Sequence, residues 1–503
     1  MKTSLPFASF LLHAIATAAI AAVAAGCTTV GPDFKAPAGG EDVQRYTAER
    51  LALEDPAAGG KLGQHIEPGA PLDTEWWRLF ASPDLDALVR RSLEGNHTLA
   101  EAEAHLAQSR ELMAAQAGAL SPQVSMTAGV GRQKYGVEML GDFAKPPPFT
   151  YFALGPTVSY MLDFAGGTKR AIERQEALAG YQEQQVRAAW LAVTGNAVML
   201  AMRVASLREQ VAAVEALLEE DRRNAKLVRT AFEAGSVSRV DVLSAESQLA
   251  SDATLVPPLR QELAVARHAL AVEMGTAPAN AALTDLDLER VVLPATLPVS
   301  VPSRLAHRRP DILAAEAELH AATAAVGVAE ADLYPRITLT GSLTQQSTDL
   351  GHLFDRASNA WSLAGGLVAP LLDGGTLRAE RRAAVDAMHA SLAHYEQTVA
   401  AAFGQVADAL DALEHDREEL EAQTRARDTA GANVELARRS YAEGNSGVLQ
   451  VLDAQRAWQR AQLGYVRARG QRYVDTAQLL LALGGGDVAV SPAASSSSAP
   501  LRR

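Results

Sequence analysis

The sequence of 503 residues has a single cysteine, few aromatic residues and more acidic than basic side chains. With Cys27 alone, the chain can form no internal disulfide. Aromatic residues make up 5% of the chain while alanine and leucine are abundant, which favours long helices over a β-sandwich or an α/β enzyme. A formal net charge of −13 excludes a nucleic-acid-binding protein that grips phosphates.

The sequence also lacks the short motifs of common enzyme chemistry. HExxH, GxSxG and the phosphate-binding P-loop are absent, and His97, His105 and His320 are scattered instead of lying at metal-ligand spacing. We therefore expect no enzymatic activity, no metal site and no cofactor. A mean hydropathy near zero excludes a bundle of transmembrane helices.

Residues 1–26 have the pattern of a lipoprotein signal peptide. Lys2 precedes an apolar run from Leu5 to Val23, and three small residues then lead to Cys27. A transmembrane anchor is the alternative, but the run is rich in alanine and only weakly apolar. The junction resembles a bacterial lipobox, in which the cysteine becomes the acylated N-terminus. Thr28 resembles the signal for sorting to the outer membrane.

The chain contains two copies of one unit. The segment that begins at Leu99 aligns with the segment that begins at Ile312, a shift of 213 residues. Further on, Phe232–Gly235 aligns with Tyr441–Gly444 at a shift of 209 residues. Each half is predicted to run helix, strand, strand, long helix, turn, helix.

Four strands are predicted, at about residues 122–136, 150–164, 335–347 and 360–373, because apolar residues alternate there with small polar ones. The small polar face suits a wet lumen, although an ordinary soluble sheet on a core is the alternative. The apolar positions are Val124, Met126, Ala128, Val130, Phe152, Leu154, Val158, Tyr160, Leu162, Ile337, Leu339, Leu343, Trp361, Leu363, Leu367 and Leu371.

Apolar residues at alternating spacings of four and three predict a long helix with a coiled-coil seam in each half. Because no proline occurs between Thr168 and Phe232, the first helix can extend for roughly 100 Å. A solvent-exposed dimeric coiled coil explains the seams but neither the strands nor the repeat.

Four strands in one chain cannot close a membrane barrel, since the smallest known barrels use eight. An open edge in lipid leaves backbone groups unpaired, at a cost of several kcal/mol each. If the strands face lipid, several chains must contribute them. Two chains would give eight strands and three would give twelve, and the physical requirement does not choose between them.

The lipobox, the duplicated layout, Leu372–Arg378, His307–Ile312 and Val451–Arg456 together resemble the TolC-type outer-membrane factor family. The nearest branch is the efflux lipoprotein one, which includes OprM and the NodT-type proteins. The resemblance implies a mainly α fold with membrane β-structure. It implies a homotrimer whose twelve-stranded β-barrel, four strands per chain, continues into a twelve-helix periplasmic α-barrel.

The resemblance also implies a function, a location and partners. The chain is expected to be a passive export duct for small toxic compounds, lipid-anchored in the Gram-negative outer membrane and extending into the periplasm. Its expected partners are a periplasmic adaptor protein and an inner-membrane pump of the resistance-nodulation-division class. A duct for type I protein secretion and a structural coiled-coil lipoprotein without a pore are the alternatives.

In this family the helix pairs close the periplasmic end, and the matching positions here lie in the two helix tips. Gly235 and Gly444 are expected at the turns, where glycine tolerates the required backbone angles. The resemblance assigns the constricting apolar and acidic rings to Leu449 and Asp453. It assigns a latch to Asp241 and Tyr441. The arginine partner of that latch is replaced by Ser446, and Gln450 occupies the second acidic position.

These patterns divide the chain into six parts. They are the signal peptide 1–26, a lipidated arm and equatorial segment 27–80, the first repeat 81–275, an equatorial linker 276–305, the second repeat 306–484 and a disordered tail 485–503.

The lipobox generates a direct test. We expect Cys27→Ser to abolish acylation, because serine offers no thiol for thioether formation. Labelling cells with radioactive palmitate measures this, and continued labelling of the variant would contradict the assignment of Cys27.

Overall fold

The computed structural model describes residues 29–39, 43–48, 53, 63–70, 72–134, 147–282 and 286–486. The signal peptide, Cys27 and the tail after residue 486 therefore lie outside the described residues. The chain divides into two compact units. We call them the sheet unit, with residues 1–37, 106–182 and 315–395, and the helix unit, with residues 38–105, 183–314 and 396–503.

The described strands are β1 (His65–Pro68), β2 (Gln123–Gln133), β3 (Phe149–Leu162), β4 (Thr296–Val299), β5 (Arg336–Ser347) and β6 (Asn359–Val368). The described α-helices are α1 (Pro83–Gly95), α2 (His97–Ala117), α3 (Gly167–Glu233), α4 (Arg239–Ala253), α5 (Val256–Glu273), α6 (Pro302–Ala306), α7 (Pro310–Ala331), α8 (Thr376–Ala442) and α9 (Val448–Ala482). The described chain is thus mostly helical, as predicted.

The sheet unit contains one four-stranded antiparallel sheet in the order β2-β3-β5-β6. Within the described residues, no strand pairs with the outer edge of β2 or of β6. Strand β6 ends at Val368, five residues before the predicted boundary, because Pro370 can donate no ladder hydrogen bond. Leu371 lies beyond the strand.

The two longest helices match one another in length. Helices α3 and α8 each contain 67 residues and no proline. They begin at Gly167 and Thr376, so their starts differ by the same 209 residues as the sequence shift between the helix tips. At 1.5 Å per residue each helix is about 100 Å long.

Within the part of the chain that the structure describes, two helices are apolar and long enough to cross a membrane. Helices α3 and α7 each contain such a window, and half of each window is buried inside the protein. Core helices pass the same test, so composition alone does not make either one a membrane span.

The core of the helix unit is centred on aromatic side chains that precede α1. Trp76, Trp77 and Phe80 are fully buried, and the rings of Trp77 and Trp190 are 5.7 Å apart. Aliphatic residues of α1, α3 and α5 pack around them. Burial of these rings stabilises the unit, since each aromatic residue removes a large apolar area from water.

The two segments that were predicted to be equatorial contain regular structure that the sequence did not predict. Strand β1 pairs in parallel with β4, joining the segment before α1 to the linker between the repeats. The amide of Gln64 donates to the Pro294 carbonyl at 3.1 Å and its oxygen accepts from Arg472 at 2.9 Å. Each strand has only four residues, which is too short for a clear alternation of apolar and polar side chains.

Candidate functional site

The sheet has one apolar and one polar face. The register places Val124 beside Val158, Tyr160 beside Leu339 and Leu343 beside Trp361. Directly paired residues point to the same side, so the apolar positions of all four strands share one face. The faces of the four strands are therefore those that the alternation of residues predicts.

The apolar face is open in the single chain. The side chains of Trp361 and Leu363 are 76% and 79% exposed, and Val124, Met126 and Val130 are similarly open. A soluble protein rarely exposes so large a contiguous apolar patch. On the opposite face the Ser342 and Ser362 hydroxyls form a hydrogen bond of 2.8 Å. One face thus suits hydrocarbon and the other suits water.

The helix tips turn through two matching glycines. Gly235 between α3 and α4 has a φ of 76°, and Gly444 between α8 and α9 has a φ of 74°. In both turns the amide of the residue after glycine donates to the carbonyl five residues earlier, at 2.9 Å. This is the Schellman arrangement, which favours glycine because a side chain is strained at positive φ.

Asp241 caps the helix that follows the first turn. Its carboxylate accepts from the Ser238 backbone amide at 2.8 Å and from the Ser238 hydroxyl at 2.7 Å, while the Asp241 amide donates back to that hydroxyl at 3.3 Å. These hydrogen bonds to the Ser238 side chain and backbone lower the pKa of Asp241. At the matching positions of the second tip lie Gly447 and Gln450, so this capping box occurs only in the first repeat.

Leu449 and Asp453 lie one turn apart on α9. Leu449 is 43% exposed, and the Asp453 carboxylate forms an exposed ion pair of 3.2 Å with Arg456. Tyr441 is half exposed near the end of α8. The structure brings Asp241 to Ser238 and Asp453 to Arg456, and it describes no bond between Asp241 and Tyr441.

Sequence analysis missed an acidic pair between α3 and α4. Asp221 and Asp252 are 5% and 8% exposed, and the Gln248 amide donates to Asp252 at 2.7 Å. Burial, together with the hydrogen bond and charge of Asp252, raises the pKa of Asp221 to about 6, while Arg456 acts in the opposite direction. No local pattern in the sequence shows that these two side chains meet, because they lie on different helices.

Comparison with known proteins identifies the class. The profile of the outer membrane efflux protein family matches residues 88–276 and 301–485. These two matches cover most of the chain, which therefore belongs to this family.

Particular relatives match over nearly their whole length. The pyoverdine export outer membrane protein OpmQ of Pseudomonas putida is 30% identical, covering 87% of this chain and 93% of its own. A protein named "Probable outer membrane lipoprotein SilC", from Salmonella typhimurium, is 27% identical, covering 92% and 96%.

Solved channel structures share the fold. The outer-membrane channel OprN superimposes with a TM-score of 0.80 at 29% identity, covering 91% of this chain and 99% of its own. The open state of the MtrE channel of Neisseria gonorrhoeae gives 0.79 at 26% identity, covering 91% and 98%. The predicted TolC-like fold and family are thus confirmed. The protein is an outer-membrane efflux protein with the channel fold, as predicted.

The acidic pair generates a prediction of pH dependence. Because the pKa of Asp221 is higher in the folded protein than its ordinary 3.8, the pair costs no stability at low pH and destabilises α3 and α4 as the pH rises to about 6. We expect Asp221→Asn to stabilise the protein by on the order of 1 kcal/mol at about pH 8 and to change little at about pH 4.

The measurement is the midpoint of chemical unfolding at both pH values. Glu219→Gln removes the same charge from an exposed neighbour and serves as the matched control. An equal shift at both pH values, or an equal shift in the control, would refute the assignment.

Proposed function

We propose that three copies of this chain assemble into one duct, in which the sheets form a twelve-stranded barrel and the long helices form a twelve-helix periplasmic tube. The open four-stranded sheet with its exposed apolar face carries this proposal. Lipid offers no hydrogen bonds to the free edges of β2 and β6, so each edge requires a neighbouring chain. Pairing β6 of one protomer with β2 of the next satisfies both edges.

Three chains fit better than two because a duct needs a wet lumen. Twin helices of 67 residues and two matches to one family profile support an internal two-fold repeat. Each protomer then contributes two similar units, and three protomers give six around the axis. A barrel of twelve strands leaves room for a wet lumen, whereas eight strands leave an interior just wide enough for side chains.

The proposed duct is held at the membrane by acylation of Cys27, which follows the signal peptide 1–26. Residues 27–80 and 276–305 would form the arm and the equatorial parts, and 81–275 and 306–484 the two repeats. One acyl chain alone gives only marginal membrane binding, and the barrel would add a permanent attachment to the lipid anchor.

The proposed gate lies at the helix tips. Leu449 and Asp453 of three chains would form an apolar ring and an acidic ring one helical turn apart, so the constriction would dewet and would attract cations. Gly235 and Gly444 would let the tips reverse. We keep Asp241 and Tyr441 as proposed latch residues, with the Ser238 bonds as the interactions that Asp241 would have to exchange.

The proposed cargo is small toxic compounds, delivered by an inner-membrane pump of the resistance-nodulation-division class through a periplasmic adaptor. OpmQ is named for pyoverdine export, and ArpC of Pseudomonas putida is named as part of an antibiotic efflux pump. The relatives thus carry small molecules, which favours this cargo over secreted proteins. Selection would rest with the pump, because an open duct has no binding cavity of its own.

The assembly is tested by the mass of the detergent-extracted particle. We expect three times the mass of the mature chain, because only added strands satisfy the free sheet edges. Single-channel conductance in planar bilayers provides the second readout. A monomer without conductance would contradict the duct.

The gate is tested by Asp453→Ala. We expect a higher conductance and weaker block by divalent cations, because the acidic ring would lose its charge. Glu435→Ala removes a similar exposed carboxylate that pairs three residues along its own helix, and it should change neither property. Unchanged conductance and block in Asp453→Ala would remove Asp453 from the gate.

A further inference from the structure

The first described residues of the chain lie in a fitted site within the sheet unit. We call residues 29–34 the leading segment. The Val30 amide donates to the Ala165 carbonyl at 3.1 Å, three residues beyond the end of β3. The ring of Phe34 stacks on His320 of α7 with centroids 4.3 Å apart. A backbone bond and a ring contact thus attach the segment to the β3–α3 junction and to α7.

Arg170 is the centre of this site. It is 4% exposed, and its guanidinium donates to the carbonyls of Val30 at 3.0 Å and Gly31 at 3.2 Å. It also pairs with Asp33 and Glu173, each at 2.7 Å. One buried cation therefore bonds two carbonyls and one carboxylate of the leading segment while it is fixed by a carboxylate of its own helix. Such charge-assisted bonds are among the stronger ones in proteins.

Three glycines leave the space that the leading segment and Arg170 occupy. A Cβ on Gly31 would lie 2.4 Å from Cα of Gly327, and a Cβ on Gly166 would lie 2.5 Å from a methyl carbon of Thr29. A Cβ on Gly327 would lie 2.8 Å from the Arg170 side chain. Gly327 is inside α7, where glycine is less favourable than alanine. The close approach of the leading segment and Arg170 explains why glycine occupies position 327.

The internal repeat provides a matched arginine that has no leading segment against it. Arg378 corresponds to Arg170 in sequence, and Ala114 corresponds to Gly327 at the shift of 213 residues. Both Arg378 and Ala114 are exposed. A chain has a single leading segment, which can occupy only one of the two matched positions. The buried arginine and the glycine beside it both occur at that position.

We propose that Arg170 is a positioning residue for the lipid anchor, which it holds at the β3–α3 junction by locking the leading segment into the slot at Gly327. The proposal rests on acylation of Cys27, which precedes Thr29 by two residues. Two residues span at most about 7 Å whatever their conformation, so Cys27 can attach its lipid no further than that from Thr29. The anchor then fixes one point of each protomer at the membrane boundary instead of serving as a loose tether.

The test is limited proteolysis of the full-length protein in detergent. Lys35 is exposed and directly follows the segment, so trypsin can cut there once the segment detaches. Cleavage is counted from the new N-terminus at Ala36 by mass spectrometry. We expect Arg170→Gln and Gly327→Ala to speed this cleavage about tenfold or more, because both variants empty the site.

Gly327→Ala separates the slot from general helix stability. Alanine favours the helix, so if Gly327 matters only for the stability of α7, cleavage at Lys35 should be slower or unchanged. If Gly327 makes room for the leading segment beside Arg170, cleavage should be faster while α7 remains protected from hydrogen exchange. Arg378→Gln is the matched control and should leave the rate unchanged. Asp33→Asn removes a single ion pair from an exposed carboxylate and should give a smaller acceleration if Arg170→Gln fails to assemble.

The outcomes also separate this proposal from acylation itself. The amount of new N-terminus at Ala36 does not depend on the lipid. Palmitate labelling of the same samples measures the lipid independently. Equal cleavage in the unaltered protein, Arg170→Gln and Gly327→Ala, or equal acceleration in Arg378→Gln, would overturn the role of Arg170. Absence of the palmitate label from the unaltered protein, with Lys35 still protected, would instead refute acylation of Cys27. The role of Arg170 in holding residues 29–34 would remain supported.

Discussion

An open sheet edge cannot lie in hydrocarbon, and this constraint governs how the molecule works. Every backbone amide and carbonyl in lipid needs a protein partner, because no water is present to replace one. The antiparallel sheet of one chain has four strands, one apolar face and, within the described residues, two edges that pair with no other strand. The chain therefore cannot insert alone, and the proposed trimer, the lumen and the passive duct are consequences of satisfying those edges.

The two halves of the chain are alike in their long helices and differ at a few matched positions. The long helices match in length and the two tips share one turn geometry. The two halves differ where a residue of the first half forms contacts that the matching residue of the second half does not form. Ser238 and Asp241 form a capping box at the first tip only, and Arg170 is buried under the leading segment while Arg378 is open.

Sequence reasoning succeeded where a pattern is periodic and failed where contacts join distant segments. Alternation along the strands predicted the faces of the sheet, and proline-free heptads predicted helices of about 100 Å. The β1–β4 pair was not predicted because four residues are too few to show an alternation of apolar and polar side chains. The Ser238–Asp241 box was readable as a local spacing, yet Asp241 was assigned only to a latch. Arg170 and the Asp221 pair depend on contacts that no local pattern encodes.

The central claim is that the apolar face of the sheet lies against lipid and the serine-rich face against water. Nitroxide labels at Leu363 and at its neighbour Ser362, in protein reconstituted into bilayers, measure this directly. The account predicts that the label at Leu363 is accessible to oxygen and shielded from a polar nickel chelate, with the opposite result at Ser362. Equal accessibility at the two sites, or shielding of Leu363 from both reagents, would contradict it.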